Sequence, residues 1–198
     1  MNFVDLSVLV CSVSNRYEEA LELGVQLVRQ AVPYHPLVEI LILTDNRCRT
    51  IGMKRQALLD ISQGSYVCFV DDDDDVHPEF IKRVMDVMIS KPTNADVLLF
   101  PSRCVSAEYG DMLIHHDVSF DNEEPRLPSF KRKPWFMHPI RRDIATSARF
   151  TDKNWGEDYD WLRELWPQMK TKKVVSDDPL YTYYWNDNKD EDVRGELR

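Results

Sequence analysis

Four short, nearly continuous apolar runs punctuate the first hundred residues: Leu6 to Cys11, Val38 to Leu43, Tyr66 to Val70 and Asp96 to Phe100. Runs of this length, rich in β-branched and aromatic side chains, predict strands buried on both faces. Between them apolar residues recur at helical spacing. Ala20, Leu23, Gly24, Leu27 and Ala31 share one side of a helix over 17–31, which Pro33 and Pro36 end. A second helix is predicted over 51–62. A third opens at Pro78 with Glu79 in its first turn and carries Ile81, Val84, Met85 and Met88 towards residue 91. Strands alternating with helices at this rhythm predict an α/β fold with a largely parallel, doubly wound sheet.

The second half has a different pattern. Residues 101–120 alternate loosely and predict antiparallel strands or a hairpin. Residues 121–133 contain two prolines and the basic run Lys131, Arg132, Lys133, which reads as a loop. That run is first a solvated surface and second a phosphate clamp. A short helix is predicted over 140–148, starting near Arg141 and Arg142. Another follows residues 154–161, carrying Leu162, Leu165 and Trp166. A polar strand region over 173–185 precedes an acidic tail that begins at Asn186.

The most informative stretch is Asp71 to Asp75, five consecutive carboxylates directly after the third apolar run. A buried strand that ends in carboxylates places them at the carboxyl edge of the sheet, where open α/β sheets bind ligands. Adjacent carboxylates in a half-buried loop repel one another, and a divalent cation relieves the repulsion. Hard oxygen donors select magnesium, manganese or calcium over zinc. The competing reading is an exposed acidic loop. An EF-hand is excluded, because Val76 stands where glycine is required and Lys82 where the bidentate glutamate is required.

Composition sets outer bounds. The 198 residues, 43% of them hydrophobic, suffice for a substantial core and are most simply one domain. A net charge of -9 argues against a general nucleic-acid binder. No apolar run is long enough for a membrane span, and no basic-then-apolar signal opens the chain. Cys11, Cys48, Cys68 and Cys104 show no paired spacing, and Cys11 and Cys68 fall in predicted strands. They read as reduced thiols of a cytoplasmic protein.

Taken in order, Ser7 to Val10, the strand ending at Asp45, Gly52-x-x-Arg55-Gln56, Gly64-Ser-Tyr66 leading into Phe69-Val-Asp71-Asp-Asp73, and Gly156-Glu-Asp-Tyr-Asp-Trp161 resemble the family 2 type of GT-A glycosyltransferases. The resemblance covers roughly residues 5–185. It implies a GT-A-like fold, with residues 1–100 as the nucleotide-sugar-binding half and 101–198 as a smaller, antiparallel, acceptor-binding half.

It further implies an inverting, metal-dependent transfer from a nucleotide-diphosphate sugar, by default a UDP-sugar, to a glycan or other hydroxyl acceptor. Asp73 would be the main ligand of Mn2+ or Mg2+. Asp71 and Asp72 would serve the ribose or the metal's water shell, with Asp71 a second possible ligand. Asp74 and Asp75 would be surplus and solvated. Asp45 would hydrogen-bond the base; as a local feature it is equally a turn-forming Asp before Asn46. Ser12, Val13 and Ser14 would contact the base, with Val13 where an aromatic often covers it. Lys54 and Arg55 would reach the diphosphate, or else lie on the helix surface. Asp158 would be the general base, with Glu157 binding or orienting the acceptor; both are also ordinary first-turn acids of a helix.

Trp155 and Trp161 flank this pair and suit either sugar stacking or core packing. His138, Asn186 and Asp187 are further candidates for metal or acceptor contacts. Two other classes compete on the sequence. One is a phosphatase with Asp71 as nucleophile, and the other a sugar-nucleotide-binding module without turnover.

Overall fold

The computed structural model describes residues 4–90 and 93–185. All four apolar runs are strands. They are β1 (Leu6–Val13), β2 (Val38–Asp45) and β3 (Tyr66–Asp71), and then, after the two-residue β4 (Asp75–Val76), β5 (Val97–Leu99). Helix α1 (Tyr17–Ala31) buries Ala20, Leu23, Gly24, Leu27 and Ala31, the five positions its periodicity predicts. Helix α2 (Ile51–Ile61) is capped by Thr50, whose side chain accepts from the Met53 N–H. Helix α3 (Phe80–Ser90) begins two residues later than expected, with Pro78 and Glu79 in the preceding turn.

β3, β1 and β2 are parallel neighbours in that order. The chain steps outward from β1 to β2 and then returns past β1 to β3. With right-handed crossovers, that reversal sends α1 and α2 to opposite faces of the sheet. Consistent with this, α1 packs against α3, and α2 against a later helix, Glu157–Leu165. The sheet carries the core: Leu6, Val8, Leu9, Val10, Cys68, Phe69 and Val70 are all essentially inaccessible to solvent.

The second half supplies β6 (Ser102–Ser106), β7 (Gly110–His116), β8 (Ser129–Arg132), β9 (Ile140–Arg141), α4 (Arg142–Ala145), α5 (Glu157–Leu165), β10 (Lys172–Val174) and β11 (Tyr181–Trp185). β6 and β7 form the expected antiparallel hairpin. Three expectations are corrected. The loop over 121–133 contains β8, which pairs with β7. The helix expected over 140–148 shrinks to α4, because Ile140 and Arg141 form a strand inserted antiparallel between β3 and β5. The strand region over 173–185 splits, with β10 joining β5 in the first sheet and β11 joining β6 in a second. The first sheet therefore runs β10-β5-β9-β3-β1-β2 and the second β4-β11-β6-β7-β8. β4 and β11 tie the aspartate loop at the end of β3 into that second sheet.

Candidate active site

Strand register gathers the first set of candidates. β1 and β2 align Val13 opposite Asp45, and β1 and β3 align Cys11 opposite Asp71. Ser12, Val13, Asp45 and Asp71 therefore share one sheet edge, and Ser14 opens the exposed single turn just beyond it. The Lys54 ammonium is buried beneath this edge, donating to the Ser12 carbonyl at 2.8 Å and to Asp45 Oδ1 at 3.3 Å. The helix-surface alternative for Lys54 and Arg55 is overturned. Their residues are only 3% and 2% exposed, because the first turn of α2 runs beneath the β1 and β3 ends.

The aspartates divide by environment. Asp71 Oδ1 accepts from Arg55 Nη2 at 2.8 Å. Burial raises the Asp71 carboxyl, with Arg55 working against it. Asp72 is pushed up to about 6 by burial, with Arg16 opposing. Arg16 spans Asp72 Oδ1 at 2.9 Å and Asp73 Oδ2 at 2.6 Å. Asp74 is not solvated, contrary to expectation. Its Oδ2 accepts from the Tyr181 hydroxyl at 2.7 Å and its Oδ1 from the Tyr184 N–H at 3.0 Å. Burial raises that carboxyl above the usual range. Only Asp75 is exposed, accepting from the Tyr184 hydroxyl. The Tyr181 oxygen also accepts from the Asp71 N–H, so one tyrosine pins both ends of the loop. Sequence reasoning missed Arg16 and Tyr181. Their only local signals are a cation directly after β1 and the aromatic alternation Tyr181, Tyr183, Trp185.

The second set arrives from the far end of the chain. The segment before α5 is stitched to the start of α2. The Thr50 hydroxyl donates to Asp152, the Ile51 N–H to Asn154, the Gly52 N–H to the Lys153 carbonyl, and the Phe150 N–H to Gln56. Gly52 is obligatory in this arrangement, since a Cβ there would lie 1.9 Å from the Thr151 carbonyl oxygen. Gly156, at φ 69°, then turns the chain into α5. Glu157, 4% exposed, accepts from Arg55 Nε at 3.1 Å. Burial raises its carboxyl and Arg55 opposes the shift. Arg55 is thus a bridge between Asp71 on β3 and Glu157 on α5. Burial alone would lower its pKa; the two carboxylates raise it well above normal. Its Nη1 is buried with no partner among the described residues.

Asp71, Glu157 and Asp158 line one cleft of about 560 Å³, floored by Arg55 and walled by Trp135, Trp155, Tyr159, Tyr183 and Trp185. Of the two flanking tryptophans, Trp155 is 65% exposed in this cleft. Trp161 belongs to the core, stacked on Phe150 at 4.5 Å. His138 is fully buried, its Nε2 bonded to the Phe100 carbonyl at 3.0 Å and its Nδ1 accepting from the Trp135 N–H at 2.9 Å. Both ring nitrogens are used internally, so it offers nothing to a ligand. Asn186 and Asp187 lie outside the described residues.

Among the described residues no group of three His, Cys, Asp or Glu side chains is arranged to enclose a metal ion. Magnesium and manganese need no such cage, since they take one or two carboxylates and complete their shell with water and phosphate oxygens. The residues fit such an open site. Asp73 offers oxygen donors with its side chain 25% exposed at the sheet edge, and Asp72 Oδ2 is buried without a hydrogen bond. Arg16 neutralises Asp72 and Asp73. No helix among the described residues is long and apolar enough to cross a membrane. The cysteines are all free, with Cys48 exposed and the others buried.

No protein-family model and no curated protein sequence matches the chain. Solved structures do match by fold. S. aureus TarS 1-349 has a TM-score of 0.62 at 19% identity, over 91% of this chain and 60% of that one. The same TarS fragment in complex with UDP-GlcNAc gives 0.63 at 19%, over 93% and 59%. The catalytic domain of Drosophila β1,4-galactosyltransferase 7, in complex with xylobiose, gives 0.56 at 13%, over 92% and 72%. The chain therefore spans about 60% of the length of the TarS fragment it matches. Its mostly parallel central sheet with helices on both faces is that of the GT-A glycosyltransferase fold.

Proposed function

We propose that the chain is a metal-dependent, inverting glycosyltransferase of the hexosyltransferase type, moving a sugar from a UDP-sugar to a hydroxyl acceptor. One observation carries the reading. Asp71 at the end of β3 and the Glu157–Asp158 pair, 86 or more residues further along the chain, line a single cleft, and Arg55 joins Asp71 to Glu157. A UDP-sugar donor is supported by the TarS fragment, whose fold is similar and which forms complexes with UDP-GlcNAc and with UDP.

In this account Ser12, Val13, Ser14 and Asp45 bind the nucleoside along the β1 and β2 ends. Asp71 and Asp72 orient the ribose, and Asp73 would hold Mn2+ or Mg2+, with Asp71 as second ligand. A bound cation would neutralise charge on the departing diphosphate. Arg55 opposes the rise that burial imposes on the Asp71 and Glu157 carboxyls and fixes their separation. Glu157 binds the acceptor. Asp158 takes the proton of the acceptor hydroxyl as its oxygen bonds to the anomeric carbon; the bond from that carbon to the diphosphate oxygen breaks on the opposite face, inverting the centre. Trp155 offers an exposed aromatic face to a sugar ring. A phosphatase using Asp71 as nucleophile is disfavoured, because its Oδ1 is held by Arg55.

The test is Asp158→Asn, assayed for UDP released from UDP-GlcNAc with a hydroxyl acceptor. UDP should still bind, while transfer falls by about 10²- to 10⁴-fold. Near-native turnover would remove Asp158 as the base.

A further inference from the structure

Three cationic side chains line the cleft. Arg55 is spent on Asp71 and Glu157, and Lys153 on Asp160 at 2.6 Å. Arg132 is different. Strand alternation in β8 puts it on the same face as buried Phe130, turned into the cleft rather than outward like exposed Lys131. Its guanidinium lies 5.3 Å from the Phe130 ring centroid and 5.6 Å from that of Trp135. It has no carboxylate within ion-pair distance among the described residues, and its Nε is buried without a hydrogen bond. Burial depresses its pKa, with Glu124 too weak a counterweight to restore it. The two rings attract the guanidinium but supply no hydrogen bond to its buried Nε, and an oxyanion bound in the fork would.

The cleft also explains why such a cation is needed. Its other charged walls are four acids, Asp71, Glu157, Asp158 and Asp160, against the two already paired cations Arg55 and Lys153, so an anionic acceptor would be repelled unless a further wall were positive. Resting on the transferase reading above, we infer that Arg132 is a specificity-determining residue that selects acceptors carrying an oxyanion, a phosphate or a carboxylate, beside the reacting hydroxyl. The basic run Lys131, Arg132, Lys133 thereby has one member directed at substrate. Lys131 lies over Phe120 at 5.1 Å, and the Lys133 carbonyl bonds His116.

The experiment measures binding of glucose, glucose 6-phosphate and glucuronate to the full chain saturated with UDP and manganese, with UDP affinity recorded separately. Native protein should bind at least one of the two anions ten-fold or more tighter than glucose. The larger gain identifies phosphate or carboxylate as the group recognised. In Arg132→Gln the preference should fall below about threefold while glucose binding is unchanged. Arg132→Lys, which keeps the charge but loses the fork, should retain part of it. Equal binding of all three sugars by native protein, or a preference that survives Arg132→Gln, would overturn the inference. Native protein that prefers the anions yet binds no UDP would overturn the donor reading, which is a different failure.

Discussion

Arg55 offers the sharpest test of how the site is held together. Its side chain is 3% exposed and bonds two carboxylates at 2.8 and 3.1 Å, one of them, Glu157, itself 5% exposed. Its guanidinium also lies over Phe136 at 4.5 Å and Phe69 at 5.1 Å. Arg55→Met keeps the packing volume but leaves buried Glu157 and half-buried Asp71 without this partner. Removing one member of such a network costs about 3–5 kcal/mol. With a urea m-value of roughly 2 kcal/mol/M, that lowers the unfolding midpoint by about 1.5–2.5 M. Part of the loss is specific to the pair. Glu157→Gln should therefore destabilise the Arg55→Met protein by at least about 1 kcal/mol less than it destabilises the native one. Urea titrations of the four proteins at pH 7.5 give both numbers. A midpoint shift under about 0.5 M, or strictly additive losses, would refute the claim that Arg55 joins the β3 carboxylates to α5.

Gly52→Ala forces a Cβ against the Thr151 backbone at 1.9 Å, where nothing flexible can yield. We expect a loss of about 1–3 kcal/mol, with transfer impaired more than UDP binding because the 150–158 segment shifts; stability and UDP affinity both within error of native would contradict this. Burial holds His138 neutral, its pKa lowered to about 4, against 6.5 when unfolded. The unfolded chain therefore takes up the proton first, and stability drops as pH falls from 6.5 towards 4, by about 1 kcal/mol already at pH 5.5. His138→Gln should flatten the fall between pH 7.5 and 5.5, and an unchanged slope would show that His138 does not contribute. Tyr181→Phe strips Asp74 and the Asp71 N–H of their shared hydroxyl. It should cost about 1–3 kcal/mol, and a loss below about 0.5 kcal/mol in urea unfolding would contradict the pinning role.

How much of this was legible in the sequence depended on the range of the interactions. The α1 face and the four buried strands follow from local periodicity, and all five predicted α1 positions are buried. The two residues of β9 carry no such signal, because what makes them a strand is pairing with Val67 and Val97, far away in the chain. Asp74 read as solvated because nothing nearby announces Tyr181. Lys54 and Arg55 looked equally suited to a helix surface because their partners, Ser12, Asp45, Asp71 and Glu157, converge only when the sheet edge forms. His138 offered ligand chemistry by residue type alone, and only the fold shows both nitrogens occupied. Arg132, in an apparent loop, gained its orientation from pairing with β7.

The most direct measurement is calorimetric titration of UDP, GDP and dTDP into native protein and Asp73→Asn, each with and without manganese. The account predicts that UDP binds native protein far more tightly with manganese than without, and that Asp73→Asn loses the manganese-dependent gain while its unfolding midpoint stays native. No nucleotide binding in any condition, or manganese-dependent UDP binding that survives Asp73→Asn, would contradict it.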